Sequence, residues 1–285
     1  MPSITIKEFD KFVYFTRLQL ETGDYDAHIP FLRGLVDHLN LNKEKSLWLG
    51  FLYMAYYTEG SMYAAFIQPG VASKKTFPPV DLPITTQRRN LYGGRIHRHF
   101  EDLLSRGSLV GWVGQCETWQ ELIDEVGSVY GNGRWARYTT SELINVMADL
   151  KIVPDTFEIT ESSGPRKGLI ALELEPIEQS AEYLIKRLSK EGVNLSPSML
   201  ESILCDWAGM NKGTFYAGRN IDRQLGRILQ VEVMLNTKFP VLWEVRDKVF
   251  PKESLGEHYG WKGMDNPRKK LYMTKGIIPK PGEQR

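Results

Sequence analysis

Apolar residues recur at helical spacing through most of this chain, and stretches in which they alternate are few. This pattern predicts a mainly α, multi-helix globular fold with few or no strands. With 285 residues, of which 42% are hydrophobic, the chain has enough apolar surface for a buried core. We predict a single helical domain over 1–251, followed by an arm over 252–285 that is rich in Gly, Pro and Lys.

The helical periodicity also predicts individual elements. Two starts are well marked, because Thr118 and Glu121 form a capping box and Ser196 is an N-cap before a proline. The segment 154–176 is either a turn between two short strands or a loop that enters a short helix. The predicted helices are Ile6–Glu21, Ala27–Asn40, Lys43–Ile67, Arg95–Ser105, Trp119–Tyr130, Arg134–Leu150, Ile177–Glu191, Pro197–Trp207, Asn220–Asn236 and Pro240–Val249.

Charge and cysteine usage limit the class of protein. The formal net charge is only +1, and the two cysteines, Cys116 and Cys205, lie far apart in no metal-ligand spacing. We therefore expect a reducing compartment and no structural zinc. The N-terminus lacks the pattern of a signal peptide, and polar residues interrupt the most hydrophobic stretch, so we expect a cytoplasmic protein that does not contact a membrane.

Positive charge is concentrated between residues 85 and 106, which read TTQRRNLYGGRIHRHFEDLLSR. Since the whole chain is nearly neutral, this charge is local, and arginines beside a flexible Gly93-Gly94 pair suit bidentate binding of phosphate. A helix that begins after Gly94 would add its N-terminal dipole. The alternative is an ordinary solvated helix face. The proline-rich segment 68–83 just before it predicts a long functional loop.

The segment 119–150 reads as a helix, a Gly131-Asn132-Gly133 turn and a second helix that opens with Arg134. This is the form of a helix-hairpin-helix unit, whose turn presents backbone N–H groups to a DNA phosphate. Arg134 and Arg137 would add charge. The alternative is an ordinary corner between two helices.

Aromatic residues and a lone carboxylate accompany these segments. Tyr56, Tyr57 and Trp135 are candidates for stacking on an extruded base, with core packing as the alternative. Glu59 lies within an apolar stretch, so it must either be paired, for example with a loop arginine, or act as an acid, a base or a metal ligand.

Further charged residues follow towards the C-terminus. Glu201 and Asp206 precede Lys212 and Arg219, an arrangement that suits a magnesium–phosphate site or a surface network of ion pairs. Arg166 and Lys167 on a turn are candidate phosphate contacts. The chain has no GxxxxGK[ST] loop for nucleotide binding.

Five short motifs, taken together, resemble the bacteriophage amino acid:DNA transferase family, also described as α-glutamyl/putrescinyl thymine pyrophosphorylases. The resemblance spans about Leu47 to Arg223. It implies an enzyme that acts on double-stranded DNA in which 5-hydroxymethyluracil is activated as a (pyro)phosphoryl ester. Such an enzyme replaces that group with an amino acid or amine, in the host cytoplasm if the chain is phage-encoded. The motifs are WLGFLYMAYYTEGS, TTQRRNLYGG, GNGRWARY, SGPRKGL and LESILCDW.

The resemblance also implies roles for residues. The leaving group would be bound by arginines of the first basic segment: Arg88, Arg89, Arg95 and Arg98. The DNA backbone would be held by glycines and cations of several segments: Gly131, Gly133, Arg134, Arg137, Arg166, Lys167, Lys212 and Arg219. Glu59 or His97 would deprotonate the incoming amine or hydroxyl, and Asp206 or Glu201 would hold Mg²⁺ or the ammonium group of the amino acid.

Two other functions stay open at this point. A helix-hairpin-helix DNA glycosylase, whose helical architecture this fold would share, places a catalytic aspartate about 20 residues after the hairpin, and Asp155 lies at a comparable spacing. That function leaves the arginines of 88–98 unexplained. A non-catalytic nucleic-acid-binding protein would use the same basic surfaces without changing the DNA.

Overall fold

A computed structural model describes residues 4–250, without the side chains of residues 86, 87 and 89. These residues form α-helices, three short 3-10 helices and no strand, which confirms the mainly α prediction. The predicted arm over 252–285 lies outside the described residues. The helices are α1 (Ile6–Thr22), α2 (His28–His38), α3 (Lys43–Tyr56), α4 (Glu59–Phe66), α5 (Gly94–Ser105), α6 (Leu109–Val113), α7 (Trp119–Gly127), α8 (Arg134–Ala148), α9 (Ser163–Ala171), α10 (Glu178–Lys190), α11 (Pro197–Asn211), α12 (Arg219–Met234) and α13 (Pro240–Val249); the 3-10 helices are Val71–Ser73, Thr86–Leu91 and Ile159–Glu161.

The chain divides into two compact units. The first comprises Met1–Pro30, Pro154–Leu225 and Asp247–Arg285, of which 4–30, 154–225 and 247–250 are described. The second comprises Phe31–Val153 and Gly226–Arg246. None of the helices within 4–250 is long and apolar enough to cross a membrane.

The core of the first unit is aromatic. Phe12 and Phe15 of α1 pack on Trp207 of α11, each with ring centroids 5.4 Å apart. The segment that the sequence left open becomes α9, which packs closely along α11. Its glycines permit this approach, since a Cβ at Gly168 would lie 2.2 Å from the carbonyl oxygen of Leu204.

The second unit is built around α3, whose residues from Ser46 to Tyr56 are all buried. Helices α4, α6 and α8 surround it, and α7 packs on α8. A helix that is apolar on every side must be enclosed in this way. The capping box at Thr118 starts α7 as predicted, because the hydroxyl accepts from the backbone N–H of Glu121 and the Glu121 carboxylate accepts from that of Thr118.

The prediction of one continuous helix over 43–67 is wrong. Tyr57 adopts a left-handed conformation with φ 52°, its N–H caps the carbonyl of Tyr53, and α4 starts afresh at Glu59. Thr58, Glu59 and Gly60 interrupt the apolar run just after the break, but residues 54–58 include no glycine or proline, and a left-handed tyrosine is uncommon. The proline-rich segment that follows is irregular as predicted, apart from one 3-10 turn, and it packs on α3 and α4 through hydrogen bonds from Tyr56 and Ser61.

Candidate nucleic-acid interface

The turn between α7 and α8 is bound by the segment that precedes α5. Arg88 donates from Nη2 to Oδ1 of Asn132 at 3.0 Å, and Asn90 donates to the carbonyl of Gly131. Gly131 has φ +85°, and a Cβ on it would lie 2.4 Å from Cδ2 of buried Leu91. Only glycine fits there without displacing a neighbour. The structure therefore brings together the arginine-rich segment and the glycine turn, which are distant in the sequence.

Helix α5 binds the same turn from another side. Asp102 accepts from the backbone N–H of Tyr130 at 2.6 Å, and Arg106 donates to the Ser128 hydroxyl at 3.0 Å. The guanidinium carbon of Arg98 lies 4.9 Å from the centre of the Tyr130 ring. The turn is thus held by two elements, so its backbone has a defined position before any ligand binds.

Two helix N-termini open beside these contacts. Gly93 caps α5 and Gly133 caps α8, and neither cap has a side chain that accepts from the first backbone N–H groups. A Cβ added at Gly93, Gly94 or Gly133 would meet nothing within 4 Å. Because residues 88–91 contact residues 131–132, and each segment leads directly into its helix, both N-termini lie in the same region of this unit. Free N–H groups and helix dipoles favour an anion there.

The arginine side chains of this region differ in their exposure to solvent. Arg95 and Arg98 are exposed on the first turns of α5, and Arg134 and Arg137 are half-buried on the first turn of α8. Arg88 is only 1% exposed, and burial lowers its pKa to about 10, so it stays charged at neutral pH. The side chain of Arg89 lies outside the described part. The exposed pair is the part of the set that a phosphate can reach directly.

The aromatic candidates occupy different environments. Tyr56 is fully buried and packs on Phe100 with ring centroids 5.6 Å apart, as the core-packing alternative expects. Tyr57 and Trp135 are half-buried and meet edge to face, with ring centroids 5.1 Å apart. Since Trp135 lies one residue after Arg134, this pair is at the open N-terminus of α8.

Glu59 is fully buried and forms an ion pair, but its partner is Arg227 of α12 and not a loop arginine. The atoms Oε1 and Nη1 are 3.6 Å apart, and the Tyr53 hydroxyl donates to the same oxygen at 3.4 Å. Burial alone would lower the pKa of Arg227, and the charge of Glu59 raises it above its ordinary value. Gly60 permits the pair, because a Cβ there would lie 2.9 Å from the carbonyl oxygen of Arg227. The Arg227 guanidinium carbon lies 5.0 Å from the centre of the Tyr57 ring.

The two histidines of α5 have opposite environments. His97 is exposed, lies 3.3 Å from Glu101 and stacks on Phe77. His99, to which the sequence assigned no catalytic role, is 1% exposed, and its Nδ1 contacts the carbonyl oxygen of Tyr130. Burial, together with the nearby charge of Arg88, lowers the pKa of His99 to about 4. Helical spacing contained the signal, because His99 falls on the apolar stripe of Ile96, Phe100 and Leu103.

The remaining predicted residues lie in the first unit. Arg166, Lys167 and Lys212 are exposed, and Arg219 is half-buried on the first turn of α12. Their roles in DNA binding stay predictions, as does the glycosylase aspartate Asp155, which is exposed.

The carboxylates of the first unit form a polar cluster. Asp206 accepts from Asn220 at 3.2 Å, and Glu201 accepts from the Ser162 hydroxyl at 3.0 Å. Burial and the charges of Asp24 and Asp26 raise the pKa of Asp206 well above its usual range. Within residues 4–250, no group of three or more His, Cys, Asp or Glu side chains is arranged to hold a metal ion. The magnesium role stays a prediction.

A surface cavity of about 370 Å³ lies at the C-terminal end of α8, at the opposite end of the helix from the turn. Since a helix rises about 1.5 Å per residue, the 15 residues of α8 separate the cavity from the turn by roughly 20 Å. The cavity is therefore not part of the interface. It is lined by Arg33, Asn145, Val146, Asp149 and Lys151.

Comparison with known protein families identifies one match. Residues 97–213 match the model of the family described as amino acid:DNA transferase. The matched segment includes α5 from His97 onward, the helices α7 and α8, and three of the five motifs on which the resemblance rests. The family suspected from the sequence is thereby supported. No curated protein matches the chain.

Proposed function

Starting from the match of residues 97–213 to the amino acid:DNA transferases, we propose that the protein modifies thymine-position bases in DNA. It displaces (pyro)phosphate from the 5-methylene of an activated 5-hydroxymethyluracil and attaches an amino acid or amine in its place. The observation that carries this proposal is the meeting of two open, glycine-capped helix N-termini with exposed arginines.

The first chemical step needs stabilisation of negative charge. The bond between the methylene carbon and the ester oxygen breaks, and its electron pair leaves with the (pyro)phosphate. Arg95 and Arg98, with the free N–H groups of α5, would neutralise the charge that develops on the leaving oxygen. Arg88 is buried and contributes a positive charge, and its hydrogen bond holds the side chain of Asn132 in position.

The DNA strand is proposed to follow the N-terminus of α8. The open backbone at Gly133 and the arginines Arg134 and Arg137 would bind phosphates on either side of the target nucleotide. Tyr57 and Trp135 would stack on the extruded base. Glu59 acts on this surface indirectly, since it holds Arg227 against the Tyr57 ring.

The second step forms the new bond. The amine lone pair attacks the electrophilic methylene carbon, and the nitrogen then releases one proton. His97 is exposed one turn into α5, where it can take this proton, whereas Glu59 is committed to Arg227. The role of Asp206 towards the ammonium group of the amino acid stays a prediction, because this carboxyl lies in the first unit.

A direct assay tests the proposal. The protein is incubated with a duplex that carries one pyrophosphorylated 5-hydroxymethyluracil and with each amino acid in turn, and both released pyrophosphate and nucleoside mass are measured. We expect one pyrophosphate for each adduct. A released free base would show a glycosylase instead, and binding without any change of nucleoside mass would show a non-catalytic protein.

A variant of the interface and a control variant away from it test whether the activity depends on the interface. Arg95→Ala combined with Arg98→Ala should reduce transfer at least about 100-fold, as expected when charge stabilisation of a transition state is lost. Both side chains are exposed, so the fold should be retained. The control is Arg33→Ala at the far end of α8, where the side chain is also exposed and donates to the carbonyl of Val146. Equal losses in the control and the double variant would contradict the proposed interface.

A further inference from the structure

The side chain of His99 has one defined tautomer. Its Nδ1 lies 2.5 Å from the carbonyl oxygen of Tyr130, and a carbonyl can only accept, so Nδ1 carries the hydrogen. With a pKa of about 4, the ring is neutral at physiological pH. The other nitrogen, Nε2, is therefore a bare acceptor. It is buried, and no described residue donates a hydrogen bond to it.

Two neighbouring polar groups are also buried without a hydrogen-bond partner among the described residues. Nε of Arg88 is a buried donor, and Oγ1 of Thr85 is a buried hydroxyl; neither has a hydrogen-bond partner among the described residues. Arg88 follows Thr85 by one turn, with its N–H bonded to the Thr85 carbonyl. The charge of Arg88 is close enough to His99 to depress its pKa, and both residues hold the same turn, at Tyr130 and Asn132.

Such groups are unusual in a folded protein. Buried polar atoms are in most cases paired with protein, water or a ligand, and several of them at one place offer partners to a bound ligand. Here the set is an acceptor and a charged donor whose charge acts on the imidazole of the acceptor. A ligand that fits it presents a hydrogen-bond donor next to an acceptor.

A uracil-type base has this pattern, since its ring N3–H donates and the carbonyl oxygens on both sides of it accept. A cytosine-type base has its donor at the 4-amino group and an acceptor at N3, so with the sugar held in the same place its N3 would face the bare Nε2 lone pair. The weak basicity of His99 also decides against a role as proton acceptor. An α-ammonium group has a pKa of about 8, roughly four units above that of His99, so the imidazole would not remove its proton.

We propose that His99 and Arg88 form the site that recognises the edge of the extruded pyrimidine. Nε2 of His99 accepts from N3–H, and Nε of Arg88 donates to an adjacent ring carbonyl. This inference rests on the proposed function, because that function supplies a uracil-type base to the interface. Both atoms are closed to solvent in the free protein, so recognition includes a local opening when the DNA binds.

Binding measurements with matched probes test the assignment. Three duplexes carry the target base opposite an abasic site, so that pairing in the free DNA does not differ: 5-hydroxymethyluracil, 5-hydroxymethylcytosine and N3-methyl-5-hydroxymethyluracil. The wild-type protein should bind the first about 10- to 100-fold more tightly than the other two, as expected when a site is built around a hydrogen bond that the wrong base lacks. Equal affinity for all three probes overturns the inference without any variant.

Two substitutions of His99 separate recognition from structure. His99→Asn keeps a donor for the Tyr130 carbonyl and removes the Nε2 acceptor, whereas His99→Gln places an amide near the Nε2 position and loses the bond to Tyr130. If Nε2 of His99 accepts from the base, the asparagine variant should bind the three probes with affinities within about threefold of one another. The glutamine variant should retain part of the preference for 5-hydroxymethyluracil. An asparagine variant that still discriminates like the wild type overturns the inference.

The transfer assay tells the two proposals apart. If the protein transfers an amino acid but does not discriminate between the three probes, the proposed function stands and the recognition site falls. If discrimination depends on His99 and no transfer occurs with any amino acid or amine, the recognition site stands and the proposed chemistry falls.

Discussion

His99 donates its Nδ1 hydrogen to the carbonyl oxygen of Tyr130, and this bond joins the middle of α5 to the α7–α8 turn. The same turn is held two residues later by Arg88 through Asn132. A basic segment and a glycine turn that are separate in the sequence thereby become one surface. The predictions below test the residues that build it.

Salt dependence should report the phosphate contacts. Each phosphate contact made by a cation adds about 0.9 to the slope of log affinity against log salt. Arg95→Ala and Arg98→Ala should each weaken binding to a non-specific duplex and reduce the slope by about one. The measurement is a titration at several salt concentrations. Arg33→Ala should leave the slope unchanged, and an unchanged slope in all three variants would place the phosphates elsewhere.

The two glycines of the turn should respond differently to alanine. At Gly131 the positive φ and the contact with Leu91 oppose a Cβ, so Gly131→Ala should lower the free energy of unfolding by about 1–3 kcal/mol. At Gly133 the backbone is extended and the space is open, so Gly133→Ala should change it by less than about 0.5 kcal/mol. Urea denaturation measures both. Equal effects would mean that the turn is not held against Leu91.

The pair of Glu59 and Arg227 should behave as one unit. Glu59→Gln leaves the guanidinium without its counter-charge in a buried position, which should cost about 3–5 kcal/mol. Replacing both residues, as Glu59→Leu with Arg227→Met, should cost less than the sum of the two single changes. Denaturation of the wild type, Glu59→Leu, Arg227→Met and the double variant completes a double-mutant cycle. Simple additivity would show that the two charges do not interact.

Stability should depend on pH through His99. Its pKa is about 4 in the folded state against an ordinary value of 6.5, so between these values the unfolded chain binds a proton that the folded chain does not. Stability from this group is complete above pH 6.5 and is lost as the pH falls towards 4. Between pH 7.5 and 5 the loss should be about 2 kcal/mol.

Comparison with a variant isolates this contribution, because Asp26 acts in the opposite direction. Burial raises the pKa of Asp26 to about 7, so its effect on stability falls as the pH rises. The difference in unfolding free energy between wild type and His99→Asn cancels such terms. It should shift towards the variant as the pH falls from 7.5 to 5, and parallel pH profiles would contradict a neutral, buried His99.

Local sequence signals predicted the helices well where an apolar stripe and a cap coincide. Helix α1 starts at Ile6 and α13 spans Pro240–Val249, as expected from periodicity. The five-residue helix α6 was missed, since it is too short to show a period. The break at Tyr57 was missed because Thr58 and Glu59, at which α4 begins, were interpreted as polar positions within one helix.

The site was predicted as residue types and not as an arrangement. The arginines of 88–98 and the turn at 131–133 were identified as a candidate anion site, and the structure shows the contacts between them. Which histidine is buried depends on which face of α5 packs, and the exposed His97 was chosen instead of His99. The partner of Glu59 comes from α12, far along the chain, so no local pattern could identify Arg227.

By itself, the sequence determined the helical content, the local concentration of positive charge and the glycines of the turn, because all three depend on residues that are neighbours in the chain. Only the tertiary structure decided that Arg88 is buried against Asn132, that Glu59 pairs with Arg227 and that His99 keeps a bare acceptor. These properties depend on which distant surfaces pack together, and packing removes water from some polar groups while it leaves identical ones exposed.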